Sequence, residues 1–264
     1  LAKKAGHRVA SIEEEIFALT DDREIRREYD PDARAALDLV LAQGDHQADV
    51  VARAWPEMAD RIAVVGNPRA DLLQAQRSDF PSEAARALRR RHGPFVLFST
   101  NFGATNPAID DIYGFFELAV RVGRVNLDRP ADFQMLWDAF VWERANFKAL
   151  TTLALRLAGD GVSVILRPHP SENTNLWHRQ LADISGLTVV SEGSQLDWLR
   201  ASSLLVHSGC ATGLEAFLLN HPVLTLVPGK NWWHDAQIAN RVNLAFWDIE
   251  LARQAIHDHL DGKH

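Results

Sequence analysis

Two short stretches combine residue types that could hold an anionic ligand. The first is Arg167-Pro-His-Pro-Ser-Glu-Asn173. Its prolines remove backbone donors and fix φ, so Arg167, His169, Ser171 and Asn173 are carried on a stiff turn. Arginine offers a planar fork of donors to a phosphate, and histidine can donate to phosphate oxygens. The plainer reading is a stiffened turn whose Arg167 pairs with a carboxylate. The second stretch is His207-Ser-Gly-Cys-Ala-Thr-Gly-Leu-Glu215. Small residues let a ligand approach the backbone, and a helix start at Gly213 would present N–H groups to an anion. Ser208 and Thr212 add hydroxyls, and either could simply cap the helix. Cys210 reads as a small packed residue, with only His207 beside it as a base.

Three weaker groups accompany them. Thr100 and Asn101 could donate to a sugar or phosphate, or form a simple turn. Arg69 and Asp71, in Gly66-Asn-Pro-Arg-Ala-Asp71, could serve a substrate, but an internal ion pair is slightly favoured. Glu13-Glu14-Glu15 are three adjacent acids. Exposed, they merely open a helix; crowded at a site, one could have its pKa raised toward acid/base use. The histidines make no metal case. His257 and His259 lie two apart on different helix faces, and His169 and His178 lack a third ligand at zinc-like spacing.

Each group follows an apolar run, and the runs must position them. Strands are expected at Arg8–Ser11, Leu37–Ala42, Ile62–Val65, Pro94–Ser99, Ser163–Arg167, Thr188–Val190, Ser203–Val206 and Val223–Val227. Most are rich in Val, Ile and Leu without alternation, as in strands buried on both faces. Helical patterns lie between them: Gln47–Trp55, Ser82–His92, Phe133–Ala158, Leu176–Ile184, Gly213–Leu219 and Ile249–His259. This alternation predicts an α/β fold with parallel sheets. Ligands of such sheets bind beyond the strands' carboxyl ends, where all five groups fall. The polar Arg77-Ser-Asp-Phe-Pro81 lies at the expected boundary. Two Rossmann-like domains follow, residues 1–85 and residues 86–264.

The chain has 264 residues, 47% hydrophobic and 24% charged, which excludes a disordered chain or a fibre. No apolar run reaches the ~18 residues of a membrane span. A net charge of −7 gives no electrostatic reason to expect nucleic acid as a partner. Cys210 is the one cysteine, so no intrachain disulfide forms and a reducing compartment fits. Leu1-Ala-Lys-Lys-Ala-Gly6 reads as a helix end and glycine stop, so the chain is expected to begin inside a domain, with the first domain truncated.

Gly66-Asn-Pro-Arg-x-Asp71, Ser99-Thr-Asn-Phe102, Arg167-Pro-His-Pro-Ser-Glu-Asn173 and Ser208-Gly-Cys-x-Thr-Gly-Leu-Glu215 stand in an order that resembles the bacterial surface-carbohydrate biosynthesis proteins. That family is GT-B-like, is related to Kdo transferases, and is more distantly similar to sialyltransferases and CDP-glycerol polymerases. UDP-GlcNAc 2-epimerases share the same strand-end layout. The resemblance covers roughly Gly6 to Asn240. It implies a glycosyltransferase moving an acidic sugar, with Kdo the best guess, from a CMP-activated donor to a surface polysaccharide or glycolipid, with residues 1–85 on the acceptor side and residues 86–264 binding the nucleotide sugar. His169-Pro170 match the element that holds the cytidine nucleotide. Ser208, Gly209, Thr212, Gly213 and Glu215 match the part that holds donor phosphate or sugar carboxylate. Glu13, Glu14 and Glu15 fall where relatives carry the catalytic carboxylate, although Ile16 replaces the glycine that follows it there. No metal or other cofactor is expected, because protein cations and amides would hold the phosphate. The resemblance implies a cytoplasmic location, with peripheral association at the inner face of the membrane. The alternatives are an epimerase-like isomerase on the same fold, or a non-catalytic domain that binds a nucleotide sugar.

Overall fold

The computed structural model describes residues 2–12, 31–75, 82–109, 112–121, 123, 125–229, 233–234 and 237–263. Glu13, Glu14 and Glu15 lie outside them. The chain divides into two compact units, Leu1–Ala75 and Gln76–His264.

The first unit has a parallel three-stranded sheet in the order β1 (Ala10–Ile12), β2 (Leu39–Ala42), β3 (Ile62–Val64). Helices α1 (Pro31–Ala36), α2 (Asp45–Ala54) and α3 (Pro68–Ala75) accompany it. Its core gathers Leu37, Val40, Val50, Val51, Trp55 and Met58. The start of α3 is held by Asn67, whose Oδ1 accepts from the N–H groups of Arg69 (2.9 Å) and Ala70 (3.1 Å). Pro68, with no N–H to satisfy, fills the first helical position.

The second unit opens with α4 (Glu83–His92), capped by Ser82. Its six-stranded sheet is parallel throughout. In chain order the strands are β4 (Val96–Ser99), β5 (Val164–Arg167), β6 (Leu187–Val189), β7 (Leu204–His207), β8 (Val223–Leu226) and β9 (Leu244–Phe246). In space the order is β6-β5-β4-β7-β8-β9. The chain therefore steps outward from β4 through β5 to β6, then returns to β7 and steps the other way. β4 and β7 flank the topological switch point, where an open parallel sheet leaves room for a ligand. The connecting helices are α5 (Ile112–Arg121), α6 (Pro130–Gly159), α7 (Thr174–Leu181), α8 (Gln195–Ala201), α9 (Ala211–Leu218), α10 (Ile238–Val242) and α11 (Ile249–Leu260). Val96, Phe98, Leu166, Val206 and Leu226 of the sheet pack with Leu150, Leu153 and Leu157 of α6.

The eight expected strands form, most of them shortened by one or two residues. β9 was not anticipated; it is a three-residue edge strand whose Leu244 is exposed. α9 begins at Ala211, not at Gly213, with Cys210 as the N-cap residue. The expected caps Ser208 and Thr212 do not hold that position. β7 runs one residue beyond its expected end, so His207 belongs to the strand. Among the described residues no helix is long and apolar enough to cross a membrane.

Candidate functional site

At the carboxyl end of β5, Arg167 points its guanidinium at the next loop. Its Nη1 and Nη2 donate to the carbonyls of Glu192 and Gly193, both at 2.7 Å. These two donors therefore brace the loop after β6, and the partners are carbonyls rather than the carboxylate of the plainer sequence reading.

The turn that follows is organised around Glu172, which is 3% exposed. Its Oε1 accepts from the Thr100 hydroxyl (2.5 Å), the Phe102 N–H (3.1 Å) and the His169 N–H (3.0 Å). Its Oε2 accepts from the Trp177 indole at 2.8 Å. One buried carboxylate thus ties the loops after β4 and β5 together. Further bonds reinforce the junction: Ala108 N–H to Ser171 O at 2.8 Å, and Asn173 N–H to Asn106 O at 3.0 Å. Gly103 lets the two loops approach closely: a Cβ on it would stand 2.6 Å from Ser171 Oγ, which would have to turn away.

His169 is exposed while its backbone is fixed by Glu172. Its Nδ1 accepts from the Ser171 N–H at 3.1 Å and lies 2.7 Å from the Ser171 hydroxyl. A neutral ring with an accepting Nδ1 carries its proton on Nε2. That N–H meets no partner among the described residues and is available to a ligand. Asn101 is exposed beside this turn. Thr100 is buried and committed to Glu172, and Asn173 caps α7 by accepting from Leu176 N–H at 3.1 Å.

The loop after β7 differs from expectation. His207 is fully buried, and burial pushes its pKa down to about 3, so the ring is neutral. Its Nδ1 accepts from Gly209 N–H (3.0 Å) and Cys210 N–H (3.4 Å), and its Nε2 lies 2.9 Å from the Thr225 hydroxyl. Two N–H groups of this loop are therefore spent on His207. Gly213 N–H is spent as well, on Cys210 O at 3.0 Å. Ala211 and Thr212 form the first turn of α9 directly after Cys210. The glycines serve the protein's own packing. A Cβ on Gly213 would lie 2.2 Å from His207 Nε2, and one on Gly209 would lie 3.1 Å from both Asn240 and Trp142. Ser208 and Glu215 are buried. Burial pushes the Cys210 thiol up to about 11, which suits packing rather than nucleophilic attack. Arg69 and Asp71, in the first unit, are exposed on α3.

Sequence reasoning missed Glu143. It projects from α6 toward the loop after β4, where its Oε1 accepts from Ala104 N–H (2.9 Å) and Thr105 N–H (2.6 Å). Burial pushes its carboxyl up to about 7 against the pull of those N–H groups, and the nearby Glu172 charge adds to the rise. A carboxyl titrating near neutrality at a strand-end cluster suits proton transfer. A signal was present. Leu157, Leu153 and Leu150 form a core stripe on α6, and Asn146 and Glu143 continue its spacing with polar residues.

The cluster therefore spans β5, β4 and β7 at one edge of one sheet. It combines an outward histidine N–H, a half-buried acid and the start of α9. No family model and no curated protein sequence matches the chain. Solved structures do. The UDP-GlcNAc 2-epimerase of Methanocaldococcus jannaschii, in complex with UDP-GlcNAc and UDP, superposes with a TM-score of 0.57 at 14% identity, over 98% of this chain and 64% of that one. A putative UDP-N-acetylglucosamine 2-epimerase from Listeria monocytogenes gives 0.52 at 14% identity, over 98% and 61%. The wall teichoic acid polymerase TagF gives 0.44 at 14% identity, over 88% and 53%. The chain thus spans just under two thirds of the length of these epimerases. The likeness shows the fold, a GT-B-like α/β chain built on two parallel sheets.

Proposed function

We propose that the second unit binds the donor of a glycosyltransferase that moves an acidic sugar, Kdo by resemblance, from a CMP-activated donor to a surface glycan or glycolipid. The observation that carries this reading is His169. Its backbone is pinned by a buried carboxylate, its Nδ1 is satisfied from within the turn, and its Nε2–H is left to donate beside the switch point. In such a transfer the nucleotide phosphate leaves with growing negative charge. His169, the positive charge of Arg167 and the start of α9 would stabilise it. The acceptor hydroxyl would lose its proton to a carboxylate among Glu13–Glu15. Asn101, Ser171 and Ser208 would contact the donor around these groups, and no metal is required.

Calorimetric titration with CMP, UDP and UDP-GlcNAc tests the reading. CMP is expected to bind best. Loss of one hydrogen bond to a charged group costs ~1.5–3 kcal/mol, so His169→Ala should weaken CMP about ten- to hundredfold. The unliganded melting temperature should barely move, because the ring is exposed. A preference for uridine nucleotides would replace this reading with an epimerase-like isomerase. Unchanged CMP affinity with a lowered melting temperature would make His169 structural. CMP-sugar binding without any donor turnover would leave a non-catalytic binding protein.

A further inference from the structure

Two side-chain amides beside the switch point lack a partner among the described residues. Asn146 is 1% exposed and Asn240 is 3% exposed. In each, neither Nδ2 nor Oδ1 meets a hydrogen-bonding atom among the described residues. Buried polar groups are nearly always paired, and each exception calls for a cause.

Their placement links them. Asn146 is the first polar residue on the α6 stripe formed by Leu150, Leu153 and Leu157. α6 runs back over the sheet toward β5, so residues ahead of Leu150 lie toward the strands' carboxyl ends. Trp142 is one helical turn before Asn146 on the same face. Its ring and Asn240 Nδ2 converge on one point, each 3.1 Å from where a Cβ of Gly209 would stand. Asn240 itself follows β8, beyond the same edge of the sheet. One element over the sheet and another beyond it thus bring unpaired amides to the β7 side of the switch point, across β4 from His169.

The chemistry of the missing partner can be narrowed. An amide has two N–H donors and an accepting oxygen, and here both ends are unpaired. A phosphate oxygen only accepts, so it would leave both Oδ1 atoms unsatisfied. Hydroxyl groups donate and accept, and a sugar ring carries several side by side. We propose that Asn146 and Asn240 form the sugar-binding part of the donor site, each amide pairing through both ends with hydroxyls of the transferred sugar. This rests on the nucleotide-sugar reading above. Both amides are enclosed in the unliganded chain, so a sugar reaches them only as neighbouring side chains move; Trp142, half-buried and bonded to Gly229 O at 3.3 Å, is the large side chain beside Gly209 and Asn240.

The test compares the affinities of CMP, CMP-Kdo and CMP-N-acetylneuraminate for the full chain, for Asn146→Leu and for Asn240→Leu. In the unsubstituted chain one of the two sugar nucleotides should bind more tightly than CMP. Each leucine variant should reduce that gain about tenfold, the effect of stranding one buried hydrogen-bonding group. CMP affinity should not change, and the melting temperature should hold or rise, because an unpaired amide has been removed. Should a leucine variant fail to fold, Asn146→Asp and Asn240→Asp keep the size, remove the donors and should lower the same gain. Equal loss of CMP and sugar-nucleotide affinity would assign the amides to the nucleotide and overturn the proposal. An unchanged gain in every variant would overturn it too, leaving ordered water as their partner. If CMP binds but neither sugar nucleotide improves on it, the sugar assignment falls while the nucleotide site stands. If none of the three ligands binds, both readings fall together.

Discussion

Glu172 shows how one side chain can set a ligand site without touching a ligand. It holds the loops after β4 and β5 through three bonds on one oxygen and one on the other. Removing it leaves Thr100, Phe102, His169 and Trp177 with donors and no acceptor in a buried place. A single stranded buried donor costs about 1–3 kcal/mol, so Glu172→Ala should destabilise the second unit by at least ~3 kcal/mol. Glu172→Gln should cost less, because its oxygen still accepts. Thermal unfolding of the two variants checks this. A Glu172→Ala chain that melts with the unsubstituted one would show that the loops are held by their other contacts. Glu172 falls within a motif legible in the sequence, yet its role was not. Its partners Thr100 and Phe102 lie 72 and 70 residues away, and only the parallel pairing of β4 with β5 brings them near. His169 was legible, because prolines on both sides restrict where it can point.

At the scale of elements, the strands were readable because a buried parallel strand announces itself as an apolar run. β9 was not, since three residues at an exposed edge make no such run. The start of α9 was misplaced by two residues for a definite reason. Gly213 looks like a helix opening, but it is glycine to make room for a histidine ring. His207 reaches across from β7 and is held at both nitrogens, so the first turn of α9 must pass it without a Cβ. Two effects oppose each other in Gly213→Ala. Alanine favours a helix by about 1 kcal/mol over glycine. Against this, its Cβ would stand 2.2 Å from a ring that cannot turn aside without breaking its bonds. Overpacking a core typically costs about 1–3 kcal/mol, and so fixed a neighbour puts the cost near the top of that range. A net loss of stability is expected. A Gly213→Ala chain melting at or above the unsubstituted temperature would mean that His207 yields, and that the start of α9 is looser than its bonds imply.

Across the molecule, the α/β class and the parallel sheets could be read from the alternation of runs, because each element carries its own local pattern. The network of buried polar groups could not, because each member is paired by the fold rather than by its neighbours in sequence. That network sets how stability responds to pH. His207 is buried and His221 half-buried, and loss of solvent pushes their pKa values down to about 3 and about 4. Both stay neutral in the folded second unit, while the unfolded chain takes up protons below about 6.5. Stability is therefore lost as pH falls from 6.5. Glu143 acts in the opposite direction. Its carboxyl titrates at about 7 when folded, against 4.5 when exposed. Between those values the folded state holds a proton that the unfolded state has released, so stability falls as pH rises from 4.5 to 7 and levels off above. Two histidines outweigh one carboxyl until both effects fade, which places the most stable pH near 7. Glu143→Gln keeps an oxygen for the Ala104 and Thr105 N–H groups and removes the ionisation. Its melting curve should match that of the unsubstituted chain near pH 4.5 and rise above it by up to about 3 kcal/mol at pH 8. The acid-side loss should remain, since it belongs to the histidines. Melting temperatures of the two proteins at half-unit steps from pH 4.5 to 8 decide the matter. Curves that run parallel across the whole range would mean that Glu143 ionises in the folded chain as easily as in water, and its candidacy as a proton-transfer group would end there.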